Sequence, residues 1–436
     1  MDAKTTAQYT GLLKHLKKKL VSVEFMKQHR RDEKAFSRKR TLTFVVVVVF
    51  LLNMIKRALQ DELDELFKTI TGSEFAERKV SKSAFTQARK KLKYTAFIDL
   101  NQEQVSYFYA HYQVQRWQGN RLLALDGSMT DLPNTPALQA HFGYWRPAAG
   151  GQCAKARVSQ LFDVLNKVTL DALIRPKQEG ELSLAALHCL HLREGDVVLM
   201  DRGYPAFWLF VLIRHHQAHF CARISLSGWA VVADFVASGA REQLVNLQPC
   251  YNARKACQER ELPITPLPVR LLRLEQPGQE PLVLVTSLLD QDRFPYDLFA
   301  DLYSNRWPVE TDYDHMKLQL QVENWSGSSV EAIYQDFHAT VFSKNLAAII
   351  AQPVQLLLAE QPSTKKYTYQ VNMANLCSKL KDTLVSLFLA ADPLPWLQFL
   401  WRQMASTLEP IRPKRVFPRK KKVKPKRFPM NRKPLR

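Results

Sequence analysis

The chain has 436 residues, 46% of them hydrophobic and 10% aromatic, with a formal net charge of +21; this excludes a disordered polymer and leads to an expectation of two or three packed domains with an anionic partner, nucleic acid first. Thirteen cations and no acidic residue fall in positions 411–436, leaving +8 on the remainder. The six cysteines form no Cys-x-x-Cys pair and no zinc-finger pattern, and the longest unbroken apolar run, Phe44 to Leu52, is less than half a membrane span, so a reducing, cytoplasmic setting without a membrane partner is expected.

Residues 1–115 read as a helical DNA-binding region. Leu12, Leu13, Leu16 and Leu20 recur at helical spacing, as do Leu51, Leu52, Ile55, Leu59, Leu63 and Leu66. The run Phe44–Leu52 is a buried helix or strand. Ser83–Leu92 combines apolar Ala84, Phe85, Ala88 and Leu92 with basic Arg89, Lys90, Lys91 and Lys93, the pattern of a helix laid on DNA phosphates or of a solvated charged face. Arg89 and Lys90 are the candidate contacts there.

From Arg121 the pattern turns to strands: Arg121–Asp126, Arg157–Leu165, a turn at Asn166-Lys167, then Val168–Ile174. Glu181–Leu192 is helical, Asp196–Asp201 a strand, Phe207–His215 a helix and Phe220–Ile224 a strand. This β-β-β-α-β-α-β order is that of the first part of a ribonuclease H-like sheet. Between 226 and 292 the chain reads as β-rich, with Val231-Val232, Val269–Leu274 and Leu282–Val285 as strands and Gln276-Pro277-Gly278 as a turn. Helices follow at Tyr296–Lys317, at Val330–Gln352 and after Pro362. The expected class is α/β (α+β overall). Segments are 116–225 and 293–360 for the two parts of the core, 226–292 for the insertion and 361–410 for a C-terminal helical region. The basic tail, 411–436, is expected to be disordered or extended.

Two apolar runs each lead into an aspartate closely followed by glycine: Asp126-Gly127 and Asp201-Arg202-Gly203. Downstream, Tyr303, Arg306, Glu310 and Lys317 are spaced by three, four and seven, which on an uninterrupted helix places them on one face. Pro308 suits a first-turn position, so the one-face argument is firm for Glu310 and Lys317. Two strand-end carboxylates with a third on a helix suggest a divalent-metal site for phosphoryl transfer, with Arg306 and Lys317 gripping phosphates. Asp131, Asp163, Asp171, Asp312 and Asp314 are nearby carboxylates with structural uses. His215, His216 and His219 lack a carboxylate at zinc-site spacing.

Asp126-Gly127-Ser128, Asp201-Arg202-Gly203-Tyr204 and Tyr303-x2-Arg306-x3-Glu310-x6-Lys317 resemble the DDE transposases of bacterial insertion sequences, in the group with the Tyr-Arg-Glu-Lys signature. The resemblance spans about Phe44 to Asn345. It implies a ribonuclease H-like core in which Asp126, Asp201 and Glu310 bind two magnesium or manganese ions and carry DNA cleavage and 3′-end joining. It also implies DNA contacts for Tyr303, Arg306 and Lys317, double-stranded DNA partners at element ends and target, and a DNA-bound homodimer on the bacterial nucleoid. Trp307 packs in the core or stacks on an unpaired base. The alternatives are a related nuclease without strand transfer and a catalytically inactive DNA-binding descendant.

Overall fold

The computed structural model describes all residues except 147–151, 227, 276–279, 361–366 and 413–436. The expected Gln276-Pro277-Gly278 turn and nearly all of the tail lie outside the described residues. The chain divides into two compact units. Unit 1 comprises Met1–Val114, Thr130–Ala156 and Asp314–Arg436, and unit 2 comprises Gln115–Met129 and Arg157–Tyr313.

The helical N-terminal part of unit 1 contains α1 (Ala3–Val21), α2 (Val23–His29), α3 (Phe44–Leu52), α4 (Leu59–Thr71), α5 (Lys82–Arg89) and α6 (Thr95–His111). Caps fix several of their starts: Asp2, Ser22, Thr43 and Ser81 each accept a backbone N–H of the first turn. The valine-rich run is α3, a helix despite its β-branched residues, because Val47 to Leu52 are buried on every side.

The chain continues through β1 (Leu122–Asp131), α7 (Pro136–Phe142), β2 (Tyr144–Trp145), β3 (Cys153–Asp163), β4 (Val168–Pro176), α8 (Glu181–His188), β5 (Val197–Met200), α9 (Phe207–His215) and β6 (His219–Arg223). Then come α10 (Ala230–Ala237), β7 (Glu242–Leu247), α11 (Tyr251–Gln258), β8 (Leu267–Leu274), β9 (Leu282–Thr286), α12 (Leu298–Ser304) and α13 (Trp307–Asp314), which runs into a π turn at His315–Gln319. The chain closes with α14 (Val330–Glu360), β10 (Thr368–Val371), α15 (Met373–Leu389), α16 (Leu394–Ser406) and β11 (Leu408–Ile411).

In unit 2 the strands follow the order β3–β1–β5–β6–β9–β8–β7, with β4 paired to β3. β1 runs parallel to β5 and β5 parallel to β6, whereas β9 joins β6 antiparallel. This is the mixed sheet with flanking helices that the β-β-β-α-β-α-β pattern implies. A turn with Lys167 at φ +57° joins β3 to β4, where Asn166-Lys167 was expected. A buried pair, Arg121 Nε to Asp196 Oδ1 at 2.7 Å, ties the start of β1 to that of β5.

The insertion is not all β. Val231 and Val232 lie in α10, where Val232 and Phe235 are buried at a helical interval of three, and α11 adds a second helix. A β-branched pair favours a strand only when burial alternates, and here it does not. The C-terminal helical region likewise contains an unexpected two-stranded sheet, β10 with β11, paired Thr368↔Ile411 to Val371↔Leu408.

In unit 1, α14 is the central helix, packed against α3, α6, α15 and α16. It is long and apolar enough to cross a membrane on length and composition alone, but most of its apolar stretch is buried inside the protein.

Candidate active site

Pairing between β1 and β5 sets the site. The register ends at Ala124↔Leu199, and each aspartate stands two residues beyond, Asp126 after Ala124 and Asp201 after Leu199. Neighbouring parallel strands lie about 4.8 Å apart, so the two carboxylates leave the sheet at one level. Asp126 does not end its strand, as the sequence suggested. β1 continues to Asp131, and burial changes instead: Leu122 to Leu125 are buried and Asp126 is half-buried.

Both glycines leave room. A Cβ on Gly127 would meet Glu181 Cγ and Oε1 and the Tyr204 hydroxyl, each at 3.5 Å. One on Gly203 would approach Asp201 Oδ1 to 3.2 Å and Glu181 Oε2 to 3.9 Å. The Gly203 N–H donates to Asp201 Oδ1 at 2.8 Å.

α13 brings the third carboxylate. Its Tyr313 hydroxyl donates to the Asp126 carbonyl at 2.9 Å, and Gln160 Nε2 donates to Asp312 at 3.0 Å. Pro308 sits in the first turn, as expected. Arg306 is 5% exposed and its Nη2 pairs with Glu310 Oε1 at 2.7 Å. The guanidinium also lies 4.7 Å from the Trp307 ring and 5.9 Å from that of Tyr303. Trp307 is 53% exposed, so of its two expected uses core packing is excluded, whereas Tyr303 is buried.

Burial raises the Asp126 carboxyl to about 6. The Gly127 N–H and Arg306 oppose that rise, and the negative charges of Asp201 and Glu310 add to it. The three carboxylates thus share one electrostatic neighbourhood. Burial also pushes the Tyr303 phenol up to about 12.

Two more residues stand beside the candidate site. Glu181, at the start of α8, puts a fourth carboxylate beside Gly127 and Gly203 and pairs with Arg157. No local pattern marks it. The Tyr204 hydroxyl is buried without a hydrogen-bond partner, next to Gly127; it did fall within the Asp201-Arg202-Gly203-Tyr204 motif. Beneath β1, Asp171 bonds His188 Nδ1 at 2.7 Å, His188 Nε2 bonds Ser159 at 3.0 Å, and the Ser159 hydroxyl donates to the Asp126 carbonyl at 3.3 Å. That relay occupies Asp171 structurally. Asp163 caps its turn by accepting the Leu165 and Asn166 N–H groups.

Two expectations for cations change. Arg89 does not face solvent: it is 4% exposed and bonds Gln335, Ser326 and Asp336, each at 2.8 Å. It lies four residues from Phe85 and three from Leu92, on the buried stripe. Lys90 is exposed. Lys317 stands on the π turn, in unit 1, so the α-helical interval that would give it one face with Glu310 does not apply.

An all-oxygen donor set suits a hard divalent cation rather than a soft one, and such a cation would offset the burial and, with it, the neighbouring negative charge that raise Asp126. Among the described residues, no three His, Cys, Asp or Glu side chains stand close enough to hold an ion. The donor chemistry fits such an ion, although the described side chains are not gathered into a ligand cluster.

A family model described as the transposase DDE domain matches residues 117–346, which take in both strand-borne aspartates, Glu310 and the whole insertion. The chain belongs to the DDE transposase family. It is 25% identical over 357 residues to the transposase InsG for insertion sequence element IS4 of Escherichia coli strain K12, covering 80% of this chain and 78% of that one. A solved piggyBac transposase synaptic complex with hairpin DNA aligns with 89% of this chain and 84% of its own at 10% identity, with a TM-score of 0.47.

Proposed function

We propose that this transposase binds the ends of an insertion sequence, cleaves the DNA there and joins the 3′ ends to target DNA, a cut-and-paste reaction by phosphoryl transfer. The supporting observation is the pair of aspartates leaving neighbouring parallel strands at one level, with Glu310 in the same electrostatic neighbourhood. Asp126, Asp201 and Glu310 would hold two magnesium or manganese ions. Such ions, when bound, lower the pKa of an attacking hydroxyl and neutralise phosphate charge.

The chain's own groups do the rest. Asp126, with a pKa of about 6, is largely ionised at neutral pH and therefore able to act as a ligand. Arg306, buried and held against Glu310 through Nη2, would offer its remaining N–H donors to a phosphate oxygen once DNA is seated. Tyr303 remains protonated and donates. The half-exposed Trp307 ring offers a stacking face for an unpaired base. Lys317 and Lys90 contribute further DNA contacts, and the tail adds a non-specific grip. We place the protein in the cytoplasm on the nucleoid, working as a DNA-bound homodimer.

The test is a strand-cleavage assay on duplexes carrying the DNA that flanks the coding region. Asp126→Ala, Asp201→Ala and Glu310→Ala should each abolish cleavage and leave end binding within a few-fold. A variant that still cuts removes its residue from the site. Wild-type protein that cuts but never joins precleaved ends is a nuclease instead.

A further inference from the structure

α5 stands between two clefts of unit 1 whose charged wall residues are all cations. One cleft, of about 690 Å³, is lined by Lys34, Arg38, Arg40 and Lys91 together with Ala84, Gln87 and Ala88. The other, of about 860 Å³, carries Lys82, Arg89 and Lys90 beside Thr86. Positions 84, 87, 88 and 91 form one helical face and 82, 86, 89 and 90 form another, so α5 is the ridge that separates the clefts. Ser83, Thr86 and Gln87 are exposed on it.

The ridge is held firmly. Phe85 is fully buried, edge-on to Phe50 at 4.7 Å, and Ser81 caps the first turn. The three 2.8 Å bonds of Arg89 fasten the last turn to Gln335, Ser326 and Asp336. An ordinary solvated face mixes both signs of charge, yet with 41 acidic residues in the chain neither cleft wall has one.

A helix with cationic clefts on both flanks matches the cross-section of a duplex. The major groove, about 12 Å wide, admits an α-helix and is walled by one phosphate backbone on each side. We propose that α5 enters the major groove of double-stranded DNA, that Lys34, Arg38, Arg40 and Lys91 receive one backbone and Lys82 and Lys90 the other, and that Gln87 reads a base edge. The carboxamide of glutamine pairs bidentately with adenine N6 and N7, whereas the cations position without reading. The firm anchoring also accounts for Arg89, whose charge fixes the reading helix and does not itself touch DNA.

This inference rests on the reading that the chain acts on DNA, and its test separates the two. The full chain is used to select from a randomised duplex pool, and the affinity for the selected consensus is compared with that for the unselected pool across salt concentrations. Wild type should enrich a consensus with a required adenine. Gln87→Ala should cut the preference at that base pair roughly 5- to 150-fold, and Gln87→Arg should move it from adenine to guanine. Arg38→Ala and Lys90→Ala should keep the consensus, weaken binding to every sequence and lower the log–log salt slope by about 0.9 each.

An unchanged consensus in both Gln87 variants overturns the inference, as does an unchanged salt slope in Arg38→Ala and Lys90→Ala. Wild-type protein that binds duplex but enriches no consensus also overturns it, with the transposase reading intact. Failure to bind duplex of any sequence defeats that reading itself.

Discussion

The buried carboxyl of Asp126 makes stability depend on pH in a way that can be measured in the metal-free protein. Its pKa is about 6 in the folded chain against 3.8 for the unperturbed group. The neutral form therefore favours folding below about pH 3.8, and that advantage is lost as pH rises through about 6. Above pH 7 the shift of about two units corresponds to roughly 3 kcal/mol of destabilisation, and at pH 5 to about half of it. Asp126→Asn removes the charge and keeps an oxygen for the Gly127 N–H. Urea unfolding in the presence of chelator should show the variant more stable than wild type by up to roughly 3 kcal/mol at pH 8, by about half as much at pH 5, and not at all near pH 3.5. Adding magnesium should stabilise wild type and not the variant, and strand cleavage by the variant should be abolished. A variant equal to or weaker than wild type at pH 8 would refute the claim that buried, crowded negative charge raises this group.

Other expectations follow from single contacts. Asp196→Ala removes the carboxylate that faces the buried Arg121 guanidinium and should cost about 3–5 kcal/mol, read by thermal unfolding. Tyr204→Phe deletes a buried hydroxyl that bonds nothing, so the melting temperature should hold or rise; a fall of several degrees would mean the hydroxyl has a partner. Deleting residues 411–436 removes thirteen cations and should flatten the salt dependence of DNA binding without abolishing cleavage.

What the sequence disclosed depended on range. Asp126 and Asp201 were legible because each follows a local apolar run, and the register that makes them neighbours follows from β1 and β5 lying parallel. Glu181 was not, since its closeness to Gly127 and Gly203 arises from a helix packed across the sheet. Arg89 was misread as a surface cation although Phe85 and Leu92 mark its side of the helix as the buried one, and an inward arginine needs an acidic partner that pattern alone cannot supply. That partner, Asp336, lies 247 positions away. From sequence Trp307 stands between core packing and a base-stacking role, and beside Arg306 it stays half open. The valines at 231 and 232 carry a strand propensity that the burial of Val232 with Phe235 overrides.

The separation between Arg89 and Asp336 also has a temporal side. At about 5–20 residues per second of synthesis, the α5 anchor reaches the ribosome exit on the order of tens of seconds after the helix it secures. Every residue of unit 2 has been translated by Tyr313, ahead of Asp336. Unit 2 of a nascent transposase can therefore take shape while the helix beside the cationic clefts is still waiting for its clamp.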